Sequence, residues 1–177
     1  MSSAAVLDVH HVSEPLSSTW SEAVALSLEG LKSFGRTALY DAIITSLYYF
    51  RAERGQRALV LLTDGEDTAS GTSWEDALAY ARRSGVAIYT IGLGLSEMKR
   101  GSRSKLAELA EATGGRAFLI DRADELSGVY GRIGEELRSR YLLAYSSDRP
   151  ADPNGFRPVE VRIRKGLKAR VSRGAYP

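Results

Sequence analysis

Residues 58–70 read ALVLLTDGEDTAS, and the reading of this stretch decides the fold. Ala58 to Leu62 are apolar without a break. A short apolar run bounded by turn residues predicts a strand buried on both faces. Thr63-Asp64-Gly65-Glu66-Asp67 follows and sets three carboxylates into four positions. A strand made for a dry interior therefore ends in concentrated negative charge.

Outward from that stretch, "VAIYTIGLG" (86–94) and "RAFLI" (116–120) are runs of the same kind. Helical patterns separate them. Thr72-Ser-Trp-Glu75 has capping-box spacing and opens a helix to about Ser84, with Gly85 as its stop. A second helix runs from about Arg103 to Thr113 and ends at Gly114-Gly115, and Asp121 caps a third from about Ala123 to Arg138. Upstream, residues 37–53 carry Leu39, Ile43, Leu47 and Phe50 on one helical stripe, and Gly55 stops it. Earlier still, "AAVLDV" (4–9) reads as a short buried strand and His11 to Leu16 as a poorer one. Trp20, Ala23, Val24, Leu28 and Leu31 then follow a capping box at Thr19. Apolar strands alternating with amphipathic helices predict an α/β fold, a mostly parallel sheet with helices on both faces.

After Ser139 the pattern changes. "RYLLAYSS" is strand-like, "DRPADPNG" is turn-rich, and "RPVEVRIRKGLKARVSRG" alternates strictly. Ile163 should face Leu167 across a three-residue loop with Gly166 at positive φ, which gives a C-terminal antiparallel β-hairpin. The chain thus divides into an α/β domain over 1–139 and a β appendage over 140–177.

The 177 residues, 44% hydrophobic and 26% charged, suit one soluble domain with a small appendage. A net charge of +2 makes no electrostatic case for nucleic acid. No run approaches the roughly 18 apolar residues of a membrane span, and no signal peptide is visible. With no cysteine, thiolate metal sites and thiol nucleophiles are excluded. His10 and His11 face opposite ways on a strand and cannot share a metal. No G-x-S-x-G elbow and no Walker lysine occur.

Ligands of an open parallel sheet bind outside the carboxyl ends of its strands. Asp64 is delivered to that edge, where a carboxylate suits a hard cation such as Mg²⁺ or Mn²⁺. Equally, Asp64-Gly65 reads as a plain turn with Glu66 and Asp67 solvated. Thr37 opens a helix, either as its N-cap or as a hydroxyl ligand to a cation.

"GRTALYDAI" followed by "ALVLLTDGEDT" resembles the von Willebrand factor type A (VWA) domain family, and the resemblance covers about residues 4–138. It implies a three-layer, Rossmann-like α/β fold acting as a protein-binding module and not as an enzyme. In that family a metal-ion-dependent adhesion site is built from a D-x-S-x-S motif after the first strand, a Thr from a Gly-Thr loop and an Asp ending the fourth strand. Thr37 and Asp64 match the second and third parts. The family's binding mode implies a protein ligand whose carboxylate completes the coordination of Mg²⁺ or Mn²⁺. The tail resembles that of a bacterial subgroup of VWA-related proteins that are usually exported.

The chain departs from the family pattern in lacking D-x-S-x-S. It is expected to begin near the family's second strand and to hold a divalent cation weakly. The vacant central place in the sheet is expected to be filled by residues 4–9, paired in parallel with 58–63. That pairing would carry Asp8 to the edge of Asp64 as a third metal ligand. Two rival functions remain open: a scaffold or gene fragment without a working site, and a haloacid-dehalogenase-like phosphotransferase with Asp64 as nucleophile.

Overall fold

The computed structural model describes residues 5–7, 36–52, 55–64, 66–95 and 99–140. Strand β1 (Ala5–Leu7) comes first, then helix α1 (Leu39–Tyr49), which tightens into a 3₁₀ turn at Phe50–Ala52. There follow β2 (Ala58–Thr63), α2 (Trp74–Ser84), β3 (Ala87–Leu93), α3 (Arg100–Thr113) and β4 (Ala117–Ile120). A 3₁₀ turn at Ala123–Glu125 leads into α4 (Leu126–Arg138). The sheet order is β1-β2-β3-β4. β2, β3 and β4 are parallel, in a register that sets Ala58 beside Ala87 and Thr90 beside Ala117. This parallel sheet is the one that the alternation of apolar strands and amphipathic helices predicts.

Each face of the sheet carries its own core. On one, Leu39, Ile43, Leu47 and Phe50 of the α1 stripe meet Leu59 and Leu61, together with Trp74 and Leu78 of α2 and Leu106 and Leu109 of α3. On the other, Val129 and Ile133 of α4 cover Tyr89, Ile91, Phe118 and Ile120. β3 is buried on both sides from Ala87 to Gly92. β2 differs from its predicted burial. Leu59, Leu61 and Thr63 are buried, whereas Ala58, Val60 and Leu62 are only partly so. The reason is coverage: among the described residues α4 is the helix on that face, and its buried side chains lie over β3 and β4.

Helix boundaries follow local chemistry, with shifts of a residue or more. α2 is capped by Ser73, not Thr72: Ser73 Oγ accepts the Asp76 N–H at 3.1 Å and donates to Asp76 Oδ2 at 2.8 Å. Gly85 and Gly114 close their helices in the left-handed region, φ 66° and 77°. At the start of the last helix the acceptor is Glu125, not Asp121. Its Oε1 receives the Asp121 and Arg122 N–H groups at 3.2 and 3.1 Å.

β1 corrects a sequence expectation. It does pair with β2, so both edges of β2 are occupied, but the pairing is antiparallel, with Ala5 opposite Leu62 and Leu7 opposite Val60. Buried backbone groups demand a partner without dictating its direction, because a ladder of either sense satisfies them. From Ala5 to Leu7 the chain runs toward the amino end of β2. The argument that brought Asp8 to the carboxyl edge beside Asp64 therefore fails, and residue 8 itself lies outside the described residues. So do His10, His11, the predicted strand 11–16, the predicted helix after Thr19 and the tail hairpin with Ile163, Gly166 and Leu167.

Candidate functional site at the carboxyl edge of the sheet

β2 ends at Thr63, so Asp64 stands at the carboxyl edge, half-buried. The chain then turns back along the start of α1 and is fastened to it. Asp67 Oδ1 accepts the Leu39 N–H at 2.7 Å and the Tyr40 N–H at 3.3 Å. Ser70 Oγ accepts from Tyr40 N–H at 3.0 Å and Asp41 N–H at 3.2 Å, and donates to Asp67 Oδ1 at 2.5 Å. The first N–H groups of a helix have no partner within it. Here the residue at the N-cap position, Ala38, makes no side-chain cap, and the loop after β2 supplies the acceptors. Thr37 is accordingly not the N-cap. Its carbonyl accepts the Thr68 and Ala69 N–H groups at 2.8 and 3.0 Å, and its own N–H donates to Thr68 Oγ1 at 2.9 Å. Arg36 adds a guanidinium contact to the Thr68 carbonyl.

The fastening is reciprocal. Asp41, in the first turn of α1, accepts the Gly71 N–H at 2.9 Å and the Thr72 N–H at 3.1 Å. The Thr72 side chain and these amides hold the Asp41 carboxyl below the usual carboxylate range. A carboxylate whose folded-state pKa is depressed adds stability above its unfolded pKa, and that stability fades as pH falls through the folded pKa. Asp41→Asn should therefore lower the melting temperature at pH 7. The gap to the native chain should close as pH falls below about 4. Melting curves at stepped pH check this; a gap constant down to the acid end would contradict it.

The knot of three carboxylates thus divides. Asp67 caps a helix, and Glu66 pairs with Lys99 at 3.0 Å across the mouth of the edge. Asp64 is the acid that ends the strand. Beside this corner Lys105 Nζ donates to Tyr40 Oη at 2.7 Å and lies over the Tyr40 and Trp74 rings, at 5.1 and 5.5 Å from their centroids. The loop that starts at Asp64 grips the Thr37 backbone through Thr68 and Ala69, four and five residues after Asp64. The donors of Thr37 and Asp64, a hydroxyl and a carboxylate, are oxygen ligands of the kind that a hard cation takes. In number they are few: among the described residues no group of three His, Cys, Asp or Glu side chains could enclose a metal. The residues therefore fit a weakly held Mg²⁺ or Mn²⁺ and not a tight cage.

Sequence reasoning did not anticipate the capping by Asp67 and Ser70. The signal available was their own spacing, an Asp three residues before a Ser in a loop, which is the vocabulary of helix caps. Nothing local indicates which helix they cap.

Comparison with known proteins supplies the family. The model of the von Willebrand factor type A domain matches residues 21–132. Mouse integrin alpha-M is 30% identical over 86 residues, which cover 48% of this chain and 8% of that protein. The crystal structure of an uncharacterized membrane spanning protein from Vibrio fischeri is 27% identical, covers 65% of each chain and has a TM-score of 0.42. A strand that delivers Asp64 to the sheet edge, a Thr37 clasped by the loop that follows it, and a family match over more than half the chain agree: this chain belongs to the von Willebrand factor type A domain family.

Proposed function

We propose that the chain is a protein-binding module whose contact site centres on Asp64 and Thr37, and that its role is recognition and not catalysis. The observation that carries this is the division of the acidic loop. Asp67 and Ser70 spend their polar groups on the start of α1 and Thr68 on Thr37 just before it, and this fastening ties the loop that follows Asp64 to the segment that carries Thr37. In a parallel sheet that edge is where ligands bind. Asp64 and Thr37 would hold Mg²⁺ or Mn²⁺ weakly; bound there, the cation would supply a positive centre for a carboxylate of a protein ligand. The partner's acid would add an oxygen ligand that this pair lacks. Nucleic acid is not the proposed partner, since net charge is only +2, and among the described residues no helix is long and apolar enough to cross a membrane. Phosphotransfer from an Asp64 nucleophile is disfavoured, since Glu66, two residues on, is paired with Lys99.

A second reading, a scaffold without a working site, is favoured by the same fastening, because a loop that caps a helix has a structural reason to be polar. Titration calorimetry with Mg²⁺ separates the two. The binding reading expects a dissociation constant in the millimolar range, about −4 kcal/mol, abolished in Asp64→Ala. No heat up to tens of millimolar would favour the scaffold. Micromolar binding lost in Asp64→Ala would show a fuller ligand set than Asp64 and Thr37.

A further inference from the structure

We propose that Asp67 is a positioning residue for this site: it sets where Thr37 lies relative to Asp64 without contacting the ligand. The proposal rests on the binding reading above. Asp67 has its own oxygens committed. Oδ1 accepts from Leu39 N–H, Tyr40 N–H and the Ser70 hydroxyl, and Oδ2 accepts the Ser70 N–H at 3.3 Å. It therefore offers little to a cation, although it stands three residues from Asp64. What it does offer is a fixed link between two segments. The two residues that follow it, Thr68 and Ala69, are the ones whose N–H groups hold the Thr37 carbonyl. Thr37 precedes α1 and is no part of its hydrogen-bond ladder, so its place depends on those two amides and on Thr68 Oγ1. The Thr68 amide belongs to the peptide that leaves Asp67, and the Ala69 amide to the next one. Asp67 in turn is held by the first N–H groups of α1, which lie two and three residues beyond Thr37. The loop is thus closed: Asp67 holds the helix start, the helix start carries Thr37, and Thr37 is gripped by the residues next to Asp67. Asp41 closes the same unit from the other side through Gly71 and Thr72.

The alternative is that Asp67 is only a helix cap, or only a source of negative charge near the site. Two neutral variants separate these roles. Asp67→Asn keeps an oxygen that can accept from Leu39 and Tyr40; Asp67→Ala keeps none. The two are equal in charge, so any difference between them reports geometry. Amide hydrogen exchange reads the fastening directly. In Asp67→Ala the Thr68 and Ala69 amides should exchange about tenfold faster, together with those of Leu39 and Tyr40, while the amides of β3 keep their rates. That factor is of the size that the loss of one cap carries. In Asp67→Asn they should stay within about threefold of the native chain. If Leu39 and Tyr40 quicken while Thr68 and Ala69 do not, Asp67 caps the helix without holding Thr37, and the proposal is overturned. The second readout is Mn²⁺ binding, followed by the loss of the free-ion paramagnetic resonance signal. Asp67→Asn should bind Mn²⁺ at least about fivefold more tightly than Asp67→Ala, a ratio that lost charge cannot produce. Equal affinities would overturn the proposal. A native chain that binds no Mn²⁺ at all would instead remove the cation from the binding reading, and the exchange experiment would still decide the role of Asp67.

Discussion

Gly115→Ala is expected to destabilise the chain by about 3 kcal/mol or more, the largest loss that a single methyl should cause at any of the described glycines. A Cβ on Gly115 would lie 1.9 Å from the Ile88 carbonyl oxygen and 2.5 Å from its carbon. Both are main-chain atoms near the start of β3, where Ile88 is fully buried and sits beside Leu59 of β2. Neither partner can retreat. The Gly115 N–H is held by the Ala110 carbonyl at 2.8 Å, and Gly114 before it is fixed in the left-handed turn that ends α3. To make room, α3 would have to lift from the sheet, and with it Leu106 and Leu109 from the core. Gly92→Ala is the useful control. Its Cβ would meet the tips of Leu95 and Leu119 at 2.5 and 2.9 Å, and these side-chain ends can turn away. Urea unfolding of the two variants should rank Gly115→Ala as much the more costly. A loss below about 1 kcal/mol for Gly115→Ala would contradict the close approach of the α3–β4 turn to β3.

That close approach was half legible in the sequence. Gly114-Gly115 marks a helix stop, and the stop is where it was expected. What two glycines cannot announce is that the second is needed for contact with a strand more than twenty residues earlier, not for its own backbone angle. The same boundary between local and distant runs through the whole fold. Leu39, Ile43, Leu47 and Phe50 fall on one stripe and are all buried, because helical period and burial express one requirement. β3 is mostly apolar and is buried from Ala87 to Gly92 for the same reason. Direction is different. "AAVLDV" is apolar enough to pair with β2, and its residues Ala5–Leu7 do, but the pattern of its side chains is the same whichever way it runs, and the antiparallel sense removed the basis of the expectation for Asp8.

The site shows the limit most plainly. Asp64 at a strand end could be read from position alone, and the expectation for Thr37 rests on the family resemblance. The work of Asp67 could not, since its hydrogen bond to Leu39 spans 28 residues of sequence. A capping box is visible when its members are three residues apart; a cap supplied by a distant loop leaves no local period. The shift from Thr72 to Ser73 has a similar origin. Thr72 fits the box by spacing, but its N–H is drawn to Asp41, a residue of another helix. Tertiary contacts thus reassign residues that local rules describe equally well in two ways.

The central claim is that the three carboxylates after β2 have separate tasks, Asp67 for the fold and Asp64 for a ligand. Urea unfolding of Asp67→Ala and Asp64→Ala, without divalent cation, tests it most directly. Asp67→Ala removes the acceptor of the first α1 amides and should cost about 1–2 kcal/mol. Asp64→Ala takes one negative charge from a crowded acidic corner and should cost less than half as much. If Asp64→Ala is the more destabilising of the two, the division of labour proposed for this loop is wrong.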